Sequence, residues 1–315
     1  METAGGFRRT GALIALVGPT SVGKTEFAVK LSGCLPIEVI NADSRQVYRY
    51  MDIGTAKPTP EERALVPHHL LDVAYPDEDF SLATYLRLAR EAVASVMGRG
   101  AIALVVGGTG QYVWSLMEGW TVPEVAPDAA FRHESELRVA ANGHAALHAE
   151  LAGIDPVAAG RIQATNVRRV IRALELFRAT GVRPSELLWR KDAVPPGSLV
   201  LGLTLDRVAL VARADARIDR MVTQGFASEV RSLLDRGFSP TLPAMSSIGY
   251  REMAEYVLGK TDLATATAQV RKETRRLIRR QHAWFRPSDE RIVWLNRAEP
   301  EAALQEAVRL IERSA

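Results

Sequence analysis

The residues with the most specific chemistry are Gly18-Pro19-Thr20-Ser21-Val22-Gly23-Lys24-Thr25. They spell G-x-x-x-x-G-K-T, the loop that cradles phosphates between a strand and a helix. Glycine lets successive backbone N–H groups converge on phosphate oxygens, and the positive end of a helix dipole adds to the attraction. Lys24 supplies a mobile point charge, and the Thr25 hydroxyl can ligate a magnesium ion shared with the phosphates. By motif this is a nucleotide or ATP cradle. The loop alone fixes neither the ligand nor the fate of its phosphates. Asp43 follows a short apolar run, where a carboxylate can hold a metal, accept a proton or cap the next turn. Thr109 stands in Gly107-Gly108-Thr109-Gly110, a pattern equally suited to a plain turn. A magnesium-dependent NTPase usually carries an acid after an apolar strand. Ala101–Val106 ends in glycine instead, which counts against that reading.

Two basic clusters add a second chemistry. Arg271, Lys272, Arg275, Arg276, Arg279, Arg280 and Arg286 are interrupted by a single anion, Glu273. Such a run is either a solvated basic face or a surface for nucleic-acid phosphate, whose binding weakens steeply with salt. His282, Trp284 and Phe285 place flat side chains beside these charges, although core packing explains the last two equally well. Arg168, Arg169 and Arg172 form the other cluster. A net charge of +3 and a pI near 9.1 agree with mild overall basicity. Two basic clusters flanking a phosphate loop suggest a small-molecule diphosphate reacting with a nucleic acid.

The elements that must position these groups alternate. Apolar runs Ala12–Val17, Ile37–Asn41, Ala101–Val106 and Leu199–Thr204 read as strands, and Ile292–Leu295 as a last one. Helical patterns separate them: Glu26–Leu31, then Ser81 as cap of a helix to about Met97, with Arg207–Thr223 and Ser228–Asp235 after the fourth strand. A long helix from Thr265 to Phe285 turns Val270, Leu277, Ile278, Trp284 and Phe285 inward, and Glu301–Ile311 closes the chain. This order predicts an α/β fold with a mostly parallel sheet, whose ligands sit beyond the carboxyl ends of the strands. The P-loop, Asp43 and Thr109 all follow strand ends and should share one rim. Pro58, Pro60 and Pro67 punctuate a stretch read as irregular around His68 and His69. From Pro123 the texture turns helical, with Ala129–Leu151 read as one helix and Thr165 or Asn166 capping another that stops at Gly181. Residues 122–197 therefore read as a helical insertion in a core of 1–121 and 198–315, against a continuous fold with long peripheral helices.

Composition sets the outer limits. A length of 315 residues suggests about two domains, and 47% apolar residues support a sizeable core. No run approaches the roughly 18 apolar residues of a membrane helix, and Met1–Thr10 has no apolar leader. The single cysteine, Cys34, excludes an intramolecular disulfide and a cysteine-cluster zinc site. Cytoplasm is the natural expectation, and nothing in the sequence suggests an obligate dimer or a membrane.

Longer motifs then point to one family. They include Asn41-Ala42-Asp43-Ser44-Arg45-Gln46-Val47-Tyr48, Met51-Asp52-Ile53-Gly54-Thr55-Ala56-Lys57-Pro58 and His68-His69-Leu70-Leu71-Asp72. Gly107-Gly108-Thr109-Gly110-Gln111-Tyr112, Arg172-Ala173-Leu174-Glu175, Ile248-Gly249-Tyr250-Arg251 and Arg280-Gln281-His282-Ala283-Trp284-Phe285 follow. With the P-loop, they make nearly the whole chain resemble the bacterial tRNA dimethylallyltransferases. The resemblance implies a core like that of the P-loop kinases, with the insertion gripping the anticodon stem-loop. It implies transfer of a dimethylallyl group from dimethylallyl diphosphate to N6 of the adenosine 3′-adjacent to the anticodon, with a flipped-out base as acceptor. Gly18, Pro19, Thr20, Ser21, Val22, Gly23, Lys24 and Thr25 would then hold diphosphate rather than ATP, with magnesium on Thr25. Asp43 would be the general base, with Thr109, Lys24 and Arg217 as the other catalytic residues. Arg213 and Arg220 lie within a turn of Arg217 and leave that assignment open. Carried over as tRNA contacts are Asp43, Ser44, Arg45, Gln46, Arg132, Arg168, Arg169, Val170, Ile171 and Arg172. Ser246, Ser247, Ile248, Gly249, Tyr250, Arg251, Arg279, Arg280, Gln281, His282, Ala283, Trp284, Phe285 and Arg286 complete the set. The competing reading is a P-loop small-molecule kinase.

Overall fold

The structure is a computed structural model that describes residues 13–187 and 197–314. The N-terminal stretch Met1–Thr10, Ala12 and the turn at Pro195-Pro196 lie outside the described residues. The chain divides into two compact units, Met1–Met117 with Val194–Ala315 and Glu118–Ala193. The second unit starts and ends slightly earlier than the 122–197 drawn from composition.

In the first unit six strands form one parallel sheet: β1 (Leu13–Val17), β2 (Ile37–Asn41), β3 (His68–His69), β4 (Ile102–Val106), β5 (Leu199–Thr204) and β6 (Ile292–Asn296). Their order is β3-β2-β4-β1-β5-β6, and every neighbouring pair is parallel. All residues of β1 and β4 are buried. Central parallel strands are covered on both faces, so continuous apolar runs suit them. The chain leaves β1 through α1 (Lys24–Ser32) toward β2, and returns through α3 (Leu82–Gly98) to β4. Right-handed crossovers running in opposite directions put those helices on opposite faces. Accordingly α1 packs with α14 (Pro300–Ser314), and α3 with α4 (Gly110–Met117). Ser81 caps α3 as expected, accepting from the Thr84 N–H.

The stretch read as irregular holds two elements. Thr59 and Glu62 close a reciprocal capping box on α2 (Pro60–Leu65), with proline at its first position. His68 and His69 then pair with β2 as the edge strand β3. Beyond β5 come α10 (Arg207–Thr223), α11 (Phe226–Asp235), α12 (Tyr250–Val257) and α13 (Leu263–Trp284). Gly225 is the left-handed N-cap of α11. The buried face of α13 is Ala266, Val270, Thr274, Ile278 and Gln281, with Phe285 buried just past its end. Trp284 was expected on that face but is 43% exposed.

The second unit is helical: α5 (Ala129–Asn142), α6 (His144–Ile154), α7 (Pro156–Arg161), α8 (Val167–Thr180) and α9 (Pro184–Leu187). The single helix expected over Ala129–Leu151 is two, because Gly143 takes a positive φ of 77° and turns the chain. Asn166 caps α8, and Gly181 ends it in the left-handed region. Phe131, Leu147, Leu151, Val170, Ile171 and Leu174 form the core of this unit. Among the described residues no helix is long and apolar enough to cross a membrane.

Candidate active site

Because β2, β4 and β1 are direct neighbours, the loops beyond their carboxyl ends adjoin. Backbone hydrogen bonds continue between them. The Ala42 N–H donates to Val106 O at 2.8 Å, Gly107 N–H to Leu16 O at 3.3 Å, and Thr109 N–H to Ala42 O at 3.2 Å. The close approach explains the missing acid after β4. A Cβ on Gly107 would lie 2.1 Å from the Ala42 carbonyl oxygen. The space of an aspartate is filled by backbone, and the carboxylate of this rim comes instead from Asp43.

Two cavities open here. The larger, about 1200 Å³, is lined by Thr20, Lys24, Thr25, Asp43, Arg213 and Arg217, and its far wall is the 52–63 segment. The smaller, about 390 Å³, is lined by Asp43, Arg45, Thr109, Ser246, Arg280 and Trp284. Thr20, Asp43 and Arg217 line both. The two spaces thus meet at a carboxylate, a guanidinium and the tip of the phosphate loop.

Lys24 Nζ donates to Gly18 O at 2.9 Å and Pro19 O at 3.0 Å. Desolvation lowers its pKa from 10.5 to about 8, against the pull of Asp43, with Arg217 pushing the same way as burial. Arg217 is the arginine of its trio aimed into the loop: its Nη2 donates to Thr20 Oγ1 at 2.8 Å. Burial lowers it to about 10 despite Asp43, and its Nε is buried without a partner among the described residues. Arg213 also touches the loop, through Ser21 O at 3.2 Å, and pairs with Glu26 at 3.6 Å. Arg220 lines the larger cavity and is exposed. A desolvated lysine and a guanidinium N–H without an acceptor fit an anionic ligand.

Asp43 Oδ1 accepts from the Arg45 N–H at 2.9 Å, and Asn41 Oδ1 accepts from the Asp43 N–H at 3.1 Å. Thr109 Oγ1 accepts from the Ser44 N–H at 3.0 Å and donates to Ser44 Oγ at 3.3 Å. It therefore ties the two loops together as well as lining the smaller cavity. Among the described residues no group of three His, Cys, Asp or Glu could hold a metal ion. The Thr25 hydroxyl and the Asp43 carboxylate line the larger cavity together. That donor set suits an ion brought in by phosphates, since magnesium keeps few protein ligands and takes the rest from phosphate and water.

The basic residues divide sharply. Arg132 and Arg172 both pair with buried Glu175, at 2.9 and 2.5 Å. Burial pushes the Glu175 pKa up, but these arginines and the Asp128 N–H outweigh it and hold the carboxyl below its usual value. Arg168 and Arg169 are exposed. Val170 and Ile171, grouped with them as RNA contacts, are corrected: both lie in the core of the helical unit. On α13, Arg271 pairs with Asp219, Arg275 with Asp215 at 2.5 Å and Arg276 with Glu273 at 2.5 Å. Three of the six Lys and Arg residues on α13 are thus balanced internally. Arg279 and Arg280 are exposed and make no ion pair among the described residues.

Other proposed contacts are buried or already engaged within the protein, although the Arg251 side chain is itself exposed. Tyr250 is fully buried and donates to Glu229, Ser247 and Phe285 are buried, Arg251 pairs with Glu252, and Gln46 is bound to Thr55 O and Ala56 O. Gln281 is also buried, with both polar atoms engaged. Sequence reasoning carried Gln281 over only as an RNA contact, left Arg213 as an alternative to Arg217, and missed Glu229 as a support of the cavity wall. For Gln281 a signal existed: it falls on the apolar stripe of α13, where a polar side chain needs partners.

The comparisons with known proteins agree with this geometry. The sequence pattern of the IPP transferase family matches residues 46–288, and that of isopentenyl transferase matches residues 11–71. The chain belongs to the IPP transferase family. A tRNA dimethylallyltransferase of Chloroflexus aurantiacus is 52% identical over 282 residues, covering 90% of this chain and 95% of its own. One from Roseiflexus castenholzii is 49% identical, covering 87% and 89%. Among solved structures, the full-length tRNA isopentenylpyrophosphate transferase of Bacillus halodurans superposes with a TM-score of 0.70 at 38% identity, over 96% of this chain and 98% of that one. A eukaryotic dimethylallyltransferase acting on tRNA gives 0.79 at 25% identity, over 94% and 77%.

Proposed function

We propose that this chain transfers a dimethylallyl group from dimethylallyl diphosphate to N6 of the adenosine 3′-adjacent to the anticodon in tRNA, releasing diphosphate. The observation that carries this reading is the shared wall: Asp43 lines both a cavity built for phosphate and one bordered by Arg280 and Trp284. The names of the relatives in this family support it. A small-molecule kinase is less well supported, since β4 is followed by Gly107-Gly108 in place of an acid and half of the α13 cations have no internal ion pair among the described residues.

The mechanism follows from the charges. The adenine N6 lone pair is delocalised into the ring, so the amine is a weak nucleophile. Asp43 orients the amine and takes its proton as the new C–N bond forms and the allylic C–O bond breaks. Positive charge grows on the prenyl carbon and negative charge on the departing oxygen. Lys24, Arg217 and the loop N–H groups are already in place where that negative charge develops, which is where preorganised donors act best. Thr109 holds the Ser44 segment beside the acceptor cavity. Magnesium, held by Thr25 with the phosphates, would supply further charge neutralisation on the leaving group. Arg168, Arg169, Arg279, Arg280 and Arg286 are exposed cations available to meet RNA phosphate, with identity read from bases in the smaller cavity. We place this activity in the cytoplasm, in a monomer.

Mass spectrometry of tRNA nucleosides before and after incubation with protein, magnesium and dimethylallyl diphosphate tests the reading. N6-dimethylallyladenosine is expected without ATP. ATP consumption in the absence of RNA would overturn it. Asp43→Ala should slow transfer by about 10² to 10⁴-fold while leaving RNA affinity nearly intact. A variant turning over normally would remove Asp43 as the base.

A further inference from the structure

Gln281 sits on the helix that carries Arg279 and Arg280, yet it faces the phosphate loop. Its Oε1 accepts from the Thr20 N–H at 2.7 Å, and its Nε2 donates to Gly108 O at 3.1 Å. The side chain is 7% exposed. The fit is close on both sides: a Cβ on Gly108 would lie 2.1 Å from Gln281 Nε2. Thr20 is held from the opposite direction as well, because its Oγ1 accepts from Arg217 Nη2 at 2.8 Å. One residue of the loop is therefore clamped between two helices, its backbone by α13 and its side chain by α10. The last turn of α13 is itself fixed, since Trp114 Nε1 donates to Trp284 O at 3.1 Å.

The amide group is the one chemistry that satisfies both ends. Thr20 offers a donor and Gly108 an acceptor, so the spanning group must accept at one end and donate at the other. A carboxylate of the same shape would serve Thr20 but set two oxygens against each other at Gly108. It would also bring negative charge against the tip of a loop meant for phosphate. A leucine would fill the space and leave a buried N–H and a buried C=O without partners.

We propose that Gln281 is a positioning residue for the diphosphate: acting through Thr20, it sets the tip of the P-loop from the helix whose outer face carries cations for RNA. The inference rests on the transferase reading for the identity of the ligand. It removes Gln281 from the RNA contacts and gives it to the donor site. Its neighbours Arg280 and Trp284 keep their places on the smaller cavity. One turn of α13 thus serves both substrates, the acceptor side with its exposed residues and the donor side with its buried one.

The test separates the two. Inorganic diphosphate binding with magnesium is measured by calorimetry, and binding of an anticodon stem-loop RNA by fluorescence anisotropy, for wild type, Gln281→Leu and Gln281→Glu. Loss of these hydrogen bonds should weaken diphosphate about tenfold in Gln281→Leu, with RNA affinity unchanged within about twofold. Gln281→Glu should weaken diphosphate further while still leaving RNA alone. The proposal is overturned if both variants bind diphosphate as wild type does, or if RNA affinity falls and diphosphate affinity does not. Should Gln281→Leu fail to fold by circular dichroism, Gln281→Glu, which keeps size and polarity, decides alone by the same criteria. The nucleoside assay on wild type keeps the two ideas apart. Wild type that transfers the prenyl group while Gln281→Leu binds diphosphate normally sinks only this inference; wild type that binds no diphosphate sinks both.

Discussion

Two loops around the larger cavity gather backbone N–H groups toward an anion, and they differ in who supplies it. At the 52–57 loop the anion belongs to the protein. Glu229 on α11 accepts from the N–H groups of Asp52, Ile53 and Gly54 at 2.9, 2.7 and 3.1 Å, and from the Tyr250 hydroxyl at 2.7 Å. At the P-loop the N–H groups of Gly23, Lys24 and Thr25 find no acceptor among the described residues, and Lys24 waits on carbonyls of its own loop. The first nest is closed and fixes a wall. The second is open and reserves its donors for a ligand. Concave N–H groups alone do not mark a binding site; an unfilled nest does.

The comparison breaks most directly with Lys24→Ala. Removing a donor aimed at the leaving group should lower the transfer rate by about 10² to 10³-fold. Because the lost ammonium is a desolvated charge, the melting temperature of the unliganded protein should stay level or rise. Glu229→Ala should do the reverse. Three N–H groups and a buried hydroxyl lose their acceptor, and with unsatisfied groups costing about 1–3 kcal/mol each, partly relieved by water, a loss of about 3 kcal/mol is expected. Thermal unfolding measures it, and added diphosphate should stabilise the variant by no more than it stabilises wild type. If Glu229→Ala melted like wild type, the closed nest would not be structural.

A pH series sharpens the same contrast. With Lys24 near 8 in the folded protein, diphosphate affinity should fall severalfold as pH rises through about 8, because the anion binds the charged form. Stability of the unliganded protein from this group should move the other way. The unfolded chain keeps the proton up to 10.5, so between about 8 and 10.5 it binds more protons than the native state, and stability rises with pH. In Lys24→Ala this step in affinity should disappear; in Glu229→Ala it should persist.

What could be read from the sequence was local. The P-loop, Asp43 and Thr109 are each placed by a strand and the residues just after it, so pattern and spacing sufficed to put them on one rim. Glu229 and Gln281 reach partners 175 and 173 residues away in sequence, and no spacing rule connects them. The capping box at Thr59 and Glu62 was legible as a T-x-x-E signature but was overshadowed by the prolines around it. The helix break at Gly143 is a case of one residue's left-handed φ overriding an otherwise continuous pattern.

Charge shows the same division of open from closed, with the smallest expected effects. A count of cations on α13 overstated what faces solvent, because α10 supplies Asp215 and Asp219 from 60 and 52 residues away. Arg271 and Arg275 are thereby closed, as the Glu229 nest is, while Arg279 and Arg280 are open, as the P-loop is. Arg279→Ala should weaken binding of an anticodon stem-loop and lower the slope of log affinity against log salt by about one. Arg275→Ala should leave that slope unchanged and instead free the Asp215 carboxylate, with a stability loss of no more than about 1 kcal/mol for so exposed a pair. Anisotropy titrations at four salt concentrations distinguish them. Equal slopes for the two variants would mean that α13 meets RNA along its whole length, with the α10 acids displaced on binding.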